Sequence, residues 1–225
     1  MITNNVKQIN NCIERAAKKS GRLASDMVLI AVTKSVPKET LLEELDSLKS
    51  MISHFGENRV QELVEKQKVI QDINWHMIGH LQRNKVKQVV GNVALIHSLD
   101  SIRLAEEINA VSKSRDIISE VLVEINIANE KNKYGIAPQD THSFIESIIK
   151  LPNIKVKGLM TVAPFVPDPE QNRVYFAKMN DLFISLKSIA DMQFLSMGMT
   201  NDYEIAIEEG ANMVRIGTAI FGERA

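Results

Sequence analysis

The chain has 225 residues, 44% of them hydrophobic, and its 27 basic and 28 acidic side chains leave a formal net charge of −1. That length can bury a full core as one large α/β domain or two small ones, and a balanced charge without long single-sign runs argues against a nucleic-acid or membrane footprint. A single cysteine, Cys12, excludes an internal disulfide or a cysteine metal cluster, and the polar start Met1-Ile2-Thr3-Asn4-Asn5, with no run of about 18 apolar residues, makes a cytoplasmic location the expectation.

The predicted elements begin with a helix from Asn4 to about Lys19. It carries Val6, Ile9, Ile13 and Ala16 on one face and stops at Gly21; Cys12 on this helix reads as a packing or partly exposed residue rather than a catalytic one. The run Met27–Thr33 is apolar almost throughout, as a strand buried on both faces requires. Lys34 closes it, and Pro37 fits the first position of a following helix on which Leu41, Leu42, Leu45 and Leu48 share a face. Strand Met51–Phe55 is followed by helical Val60, Leu63 and Val64. Strand Trp75–Ile78 is followed by Val86, Val89 and Val90, with Gly91 as a stop. Strand Ala94–His97 precedes a helix capped by Asp100 and carrying Leu104, Ala105, Ile108 and Val111. Strand Glu120–Asn126 leads to Phe144, Ile145, Ile148 and Ile149. Strand Ile154–Thr161 leads to Tyr175, Met179, Leu182, Phe183 and Leu186. Strand Gln193–Met197 precedes a short helix started by Asn201 or Asp202 and stopped at Gly210, and Met213–Ile216 is the eighth strand.

Strand–helix alternation repeated eight times predicts a parallel sheet with right-handed crossovers, closed into a (β/α)8 TIM barrel, with an open doubly wound sheet as the second architecture. No linker, repeat or low-complexity segment interrupts residues 1–225, so one domain is expected. Only Gly217–Ala225 follow the last strand, too few for a normal outer helix, and the N-terminal helix is expected to cover that gap.

In such barrels the C-terminal strand ends carry the site. Lys34 there is either a snorkelling surface residue or an amine aimed into a pocket, and the other strand ends favour the second reading. Ser196-Met197-Gly198-Met199-Thr200 and Arg215-Ile216-Gly217-Thr218 follow strands seven and eight, where barrels commonly bind phosphate. Hydroxyls of Ser196 and Thr200, with the Gly217 and Thr218 amides, suit an anion; turns alone are the plainer reading. A phosphate anchor opposite a lysine suggests pyridoxal 5′-phosphate (PLP), whose aldehyde suits Lys34 and whose ring nitrogen suits Arg215. A guanidinium donates and discourages protonation of that nitrogen; an ion pair at the barrel mouth is the alternative role.

Asn58 could meet a ring substituent or cap a helix, and His80, after Gly79, lies near the mouth, where it is expected to contact the cofactor. Met160, Met197 and Met199 could pack on a flat ring or fill the barrel. His76 beside Trp75 reads as a hydrogen-bonded core residue. His54, His76, His80 and His97 lack the spacing of a metal site, so none is expected. Arg83-Asn84-Lys85-Val86-Lys87 reads as a solvated helix face rather than an RNA site.

Taken together, Ala31-Val32-Thr33-Lys34, Gly56-Glu57-Asn58-Arg59-Val60-Gln61-Glu62, Trp75-His76-Met77-Ile78-Gly79-His80-Leu81-Gln82-Arg83-Asn84-Lys85, Gly158-Leu159-Met160-Thr161, Leu195-Ser196-Met197-Gly198-Met199-Thr200 and Val214-Arg215-Ile216-Gly217-Thr218-Ala219-Ile220-Phe221-Gly222 resemble the pyridoxal phosphate homeostasis protein family, single-domain relatives of alanine racemase. The resemblance implies a barrel like the racemase N-terminal domain and PLP held as an aldimine on Lys34. It also implies phosphate contacts from Ser196, Thr200, Gly217 and Thr218, with Arg215 near the ring nitrogen. Thr200 stands where the family more often has Ser; the hydroxyl is kept and the methyl is added.

The resemblance further implies a non-catalytic PLP carrier and buffer, with PLP-dependent apo-enzymes as the expected partners; a monomer is expected because the missing second domain removes a usual dimer contact. A racemase needs a second base from a partner's C-terminal domain, and these residues contain no such domain. A weak PLP-dependent racemase using Lys34, with Tyr134 or His80 as helper, is the alternative. A barrel that binds another phosphorylated metabolite without a Schiff base is a third reading.

Overall fold

The computed structural model describes residues 2–222; Met1 and residues 223–225, which the single-domain expectation includes, lie outside it. Eight parallel strands close into a barrel in sequential order: β1 (Val28–Val32), β2 (His54–Glu57), β3 (Asn74–Met77), β4 (Leu95–Leu99), β5 (Ser119–Glu124), β6 (Ile154–Met160), β7 (Phe194–Ser196) and β8 (Met213–Ile216). Closure is made by β1 on β8, with Ile30 opposite Arg215 and Ala31 opposite Ile216. The open-sheet alternative is thereby excluded.

The helices are α1 (Ile2–Lys19), α2 (Lys38–Glu43), α3 (Leu45–Lys49), α4 (Val60–Gln67), α5 (Val86–Val89), α6 (Ile102–Ser114), α7 (Thr141–Ile148), α8 (Arg173–Ser185), α9 (Tyr203–Glu208) and α10 (Thr218–Phe221). α1 does cover the gap beside β8. It buries Val6, Ile9, Ile13, Ala16 and Ala17, packs along α9 and α10, and is tied there by Asn5 donating to the Ile220 carbonyl at 2.9 Å and by Lys19–Glu208 at 2.7 Å.

Most strand bounds move by one or two residues, Pro37 is the N-cap of α2 and not its first residue, and three further expectations shift. The second strand starts at His54 rather than Met51, because Met51–Ser53 form the turn out of α3. The helix after β1 is broken at Glu44 (φ −104°, ψ 4°), so Leu41 and Leu48 are buried while Leu42 points outward. Ser101, not Asp100, caps α6, accepting from the Leu104 amide at 3.4 Å.

Two apolar layers follow from strand alternation. Leu29, Ala31, Phe55, Trp75, Met77, Ile96, Val121, Val123, Leu159, Leu195, Met197, Val214 and Ile216 face the helices. Ile30, Leu95, Leu122, Met160 and Met213 fill the barrel, with Val28 and Phe194 against them. The interior also holds a polar band of His76, His97, Ser196 and Arg215, all buried.

Candidate functional site

The end of β1 is pinned on both sides of Lys34. Thr33 Oγ1 donates to Glu57 Oε1 at 2.6 Å, and Lys66 from α4 donates to the Thr33 carbonyl at 2.6 Å and to Glu57 Oε1 at 2.5 Å. On the other side Ser35 adopts φ 60°, rare for a residue with a side chain, and its amide donates to Glu62 Oε2 at 2.7 Å. Burial pushes the Glu57 carboxyl up, against the hydrogen bonds from Lys66 and Thr33. The run Gly56–Glu62 thus serves the lysine: its acids and the lysine one turn on fix the backbone that carries Lys34.

Across the mouth, Gly198 turns with φ 90°, where a Cβ would come 2.6 Å from Ala206 Cβ. The Gly198 carbonyl accepts from the Arg215 amide at 3.1 Å. Asp202 then accepts from the Met199 amide and from Asn172, both at 2.8 Å, and Thr200 Oγ1 accepts from the Ala219 amide at 3.5 Å. The β7 and β8 loops are thereby joined. Arg215 lies at the cleft floor, donating to Ser196 Oγ at 2.6 Å and to the Thr161 carbonyl at 2.8 Å. Burial lowers its guanidinium to about 10, with Glu124 and Asp202 opposing, so it stays charged at neutral pH.

Lys34, Asn58, Met199, Thr200, Arg215, Gly217 and Thr218 line one cleft of about 460 Å³ at the C-terminal strand ends, a size suited to a small cofactor. Val32, Ile78, Val162, Phe165 and Asn201 complete it and were not anticipated. Their signal was available: Val162-Ala163-Pro164-Phe165-Val166 is an apolar loop after a strand, and Phe165 is 90% exposed at the rim.

Three expected contacts lie elsewhere. Ser196 is fully buried beneath Arg215, its Oγ taken by Arg215 and by His97 at 3.2 Å, because it shares the inward face of β7 with Phe194. Met160 fills the barrel with Ile30, Leu95, Leu122 and Met213. His80 borders two neighbouring clefts, stacks on Tyr134 with ring centroids 3.8 Å apart, and sets Nδ1 3.2 Å from Asp100. Asp100 therefore orients a ring at the mouth, which explains why it does not cap α6. Among the described residues no group of His, Cys, Asp or Glu converges as a metal site.

The lining suits PLP: an amine, a buried guanidinium, two threonine hydroxyls and apolar walls, with no carboxylate to repel a phosphate. The alanine racemase N-terminal domain family matches residues 4–225. A pyridoxal phosphate homeostasis protein of Aquifex aeolicus is 42% identical over 94% of this chain and 93% of its own, and one of Escherichia coli is 35% identical over 99% and 97%. Among solved structures, an unknown protein from Bifidobacterium adolescentis superposes with TM-score 0.89 and 34% identity, over 98% of this chain and 94% of that one. PipY of Synechococcus elongatus, with PLP bound, gives TM-score 0.80 and 30% identity over 94% and 100%. Alanine racemase of Clostridium difficile gives TM-score 0.73 at 18% identity, over 98% of this chain and 57% of its own, a likeness of fold. With a barrel of that type and full-length relatives above 30% identity, this chain belongs to the pyridoxal phosphate homeostasis protein family.

Proposed function

We propose that this protein binds PLP reversibly and non-catalytically, as a Schiff base on Lys34, and acts as a carrier and buffer in intracellular PLP homeostasis. When bound, PLP supplies a reactive aldehyde and an anionic phosphate. Lys34 would hold the aldehyde through its amine, Thr200 and Thr218 would donate hydroxyls to the phosphate beside Gly217, and Arg215 would donate to the ring nitrogen. Asn58 would face a ring substituent, and Met199, Val32, Ile78, Val162 and Phe165 would shield the ring from water. Residues 1–225 act as one domain, a monomer in the cytoplasm, with PLP-dependent apo-enzymes as recipients.

The observation that carries this reading is the chemistry of the cleft: Lys34 and Arg215 are the only titratable groups among its lining residues. A racemase must move protons on both faces of a carbon. Lys34 can serve one face, whereas His80 and Tyr134 stack on each other outside the lining. The PLP-bound relative at 30% identity supports the ligand.

The test is a visible spectrum with added PLP, borohydride reduction and mass mapping, followed by incubation with L-alanine in deuterated water. A yellow protein with the reduced pyridoxyl group on Lys34 and no catalytic exchange of the α-proton is expected. An adduct on another lysine removes Lys34 from its role, and rapid exchange makes the protein an enzyme.

A further inference from the structure

A row of hydrogen bonds crosses the barrel beneath the cleft, and binding of PLP by the lining residues leaves most of it without a task. His54 Nδ1 lies 2.9 Å from His76 Nε2, His76 Nδ1 lies 3.0 Å from His97 Nε2, and His97 Nδ1 lies 3.2 Å from Ser196 Oγ, which accepts from Arg215. His76, His97, Ser196 and Arg215 are 2%, 0%, 0% and 4% exposed, so the ring nitrogens of His76 and His97 and the Ser196 hydroxyl depend on their neighbours in the row. The three rings are 22 and 21 residues apart, one strand–helix unit each, and run in line rather than converging on a point.

The cationic end orders the protons. A guanidinium only donates, so Ser196 Oγ accepts from Arg215; its own buried proton needs an acceptor in turn, and the tautomer in which His97 Nδ1 accepts supplies one at 3.2 Å. His97 therefore carries its proton on Nε2 and donates to His76 Nδ1; His76 Nε2–H donates to His54 Nδ1. A second proton on His76 or His54 would set one donor against another, and one on His97 would leave the buried Ser196 proton without the acceptor 3.2 Å away. Burial acts in the same direction, holding His76 down at about 3 and His97 well below its ordinary value, with neighbouring charges adding to it. The row contains no carboxylate, so nothing in it neutralises Arg215.

We propose that His97 and His76 are positioning residues for Arg215: they lock the Ser196 hydroxyl as an oriented acceptor, which holds the guanidinium fully charged at the cleft floor for the cofactor's ring nitrogen. This deepens the PLP reading and rests on it. Its mark is a dependence on that nitrogen, which packing alone does not create.

Two measurements test it. In ligand-free protein, ¹⁵N-resolved NMR of the histidine side chains should report neutral Nε2–H tautomers for His76 and His97, with the His97 pattern disturbed in Ser196→Ala. A Nδ1–H or doubly protonated His97 at pH 7 overturns the row whether or not PLP binds. In the second, PLP and 1-deaza-PLP, whose ring has C–H at that position, are titrated into wild type, His97→Asn and His97→Leu. The Asn amide oxygen replaces Nδ1 as acceptor, so His97→Asn should stay within about threefold of wild type, and His97→Leu should weaken PLP roughly tenfold. The deaza analogue should bind all three alike.

Equal losses for both ligands, or no loss, overturn the positioning role. If His97→Leu fails to fold, Ser196→Ala removes the same acceptor and is read in the same assay. Wild type that binds neither ligand sinks the PLP reading, and the positioning role with it, while the NMR result still reports the row.

Discussion

Lys66→Met tests how the backbone around Lys34 is held. Lys66 is 4% exposed and its ammonium reaches Glu57 Oε1 at 2.5 Å and the Thr33 carbonyl at 2.6 Å. Methionine keeps the stem and removes the charge. Glu57, wholly buried and with Oε2 already lacking a partner among the described residues, is left with the Thr33 hydroxyl on Oε1. Removing one member of a buried ion pair costs about 3–5 kcal/mol, which lowers Tm by about 6–20 °C at roughly 2–4 °C per kcal/mol for a chain of this size. In Lys66→Met with Glu57→Gln no uncompensated charge remains, so the double variant should regain about 2 kcal/mol relative to Lys66→Met alone. Burial already raises Glu57 in the folded protein, and loss of Lys66 raises it further. The folded variant then binds a proton that the unfolded chain, with its ordinary value of 4.5, has released. Its stability therefore falls as pH rises above that value, and its deficit against wild type shrinks as pH is lowered toward it. Urea denaturation at pH 5 and pH 8, with thermal melts, measures this. A loss under about 1 kcal/mol, or strictly additive single and double variants, would refute the reasoning.

The anion contact predicts that Thr200→Ala and Thr218→Ala each weaken PLP binding by about 1.5–3 kcal/mol, roughly 10- to 150-fold, without moving the absorption band; unchanged affinity in a titration removes that hydroxyl from the site. Gly198→Ala adds a Cβ 2.6 Å from Ala206 Cβ and 2.9 Å from Tyr203 Cα at φ 90°. It should cost about 1–3 kcal/mol in urea denaturation and weaken PLP by displacing Met199 and Thr200; a variant as stable as wild type contradicts the close packing. Burial first, and then Asp100, push the Glu124 carboxyl up to about 7 against the pull of Arg215. The stability it contributes is present below 4.5 and is lost as pH rises to about 7. Glu124→Gln should therefore lack that decline, and parallel stability–pH curves for the two proteins would rule it out.

Much of the architecture was written in local pattern. Met213–Ile216 matches β8 residue for residue, and the α1 face Val6, Ile9, Ile13 and Ala16 is the buried one. Strand ends were marked by polar residues after apolar runs, which placed Lys34, Asn58, Thr200, Arg215 and Thr218 around one cleft. Boundaries moved where two signals competed: the apolar Met51-Ile52 belongs to a turn, and Asp100 gave way to Ser101 because its carboxylate faces His80.

What residue order alone determined, then, is the succession of strands and helices, the extra N-terminal helix and the chemical types gathered at the strand ends. These follow from hydrophobic period and from short-range backbone preference, which act over a few residues. Which side of each strand faces the barrel was decided only by closure. Both faces of these strands are buried, so hydropathy does not distinguish inward Ser196 from outward Met197, or the barrel filler Met160 from the cleft residue Met199. Closing the sheet with Ile30 opposite Arg215 sets the register that turns Ser196 beneath Arg215 and lines His54, His76 and His97 into one row. Those contacts join residues tens of positions apart, and no local pattern encodes them.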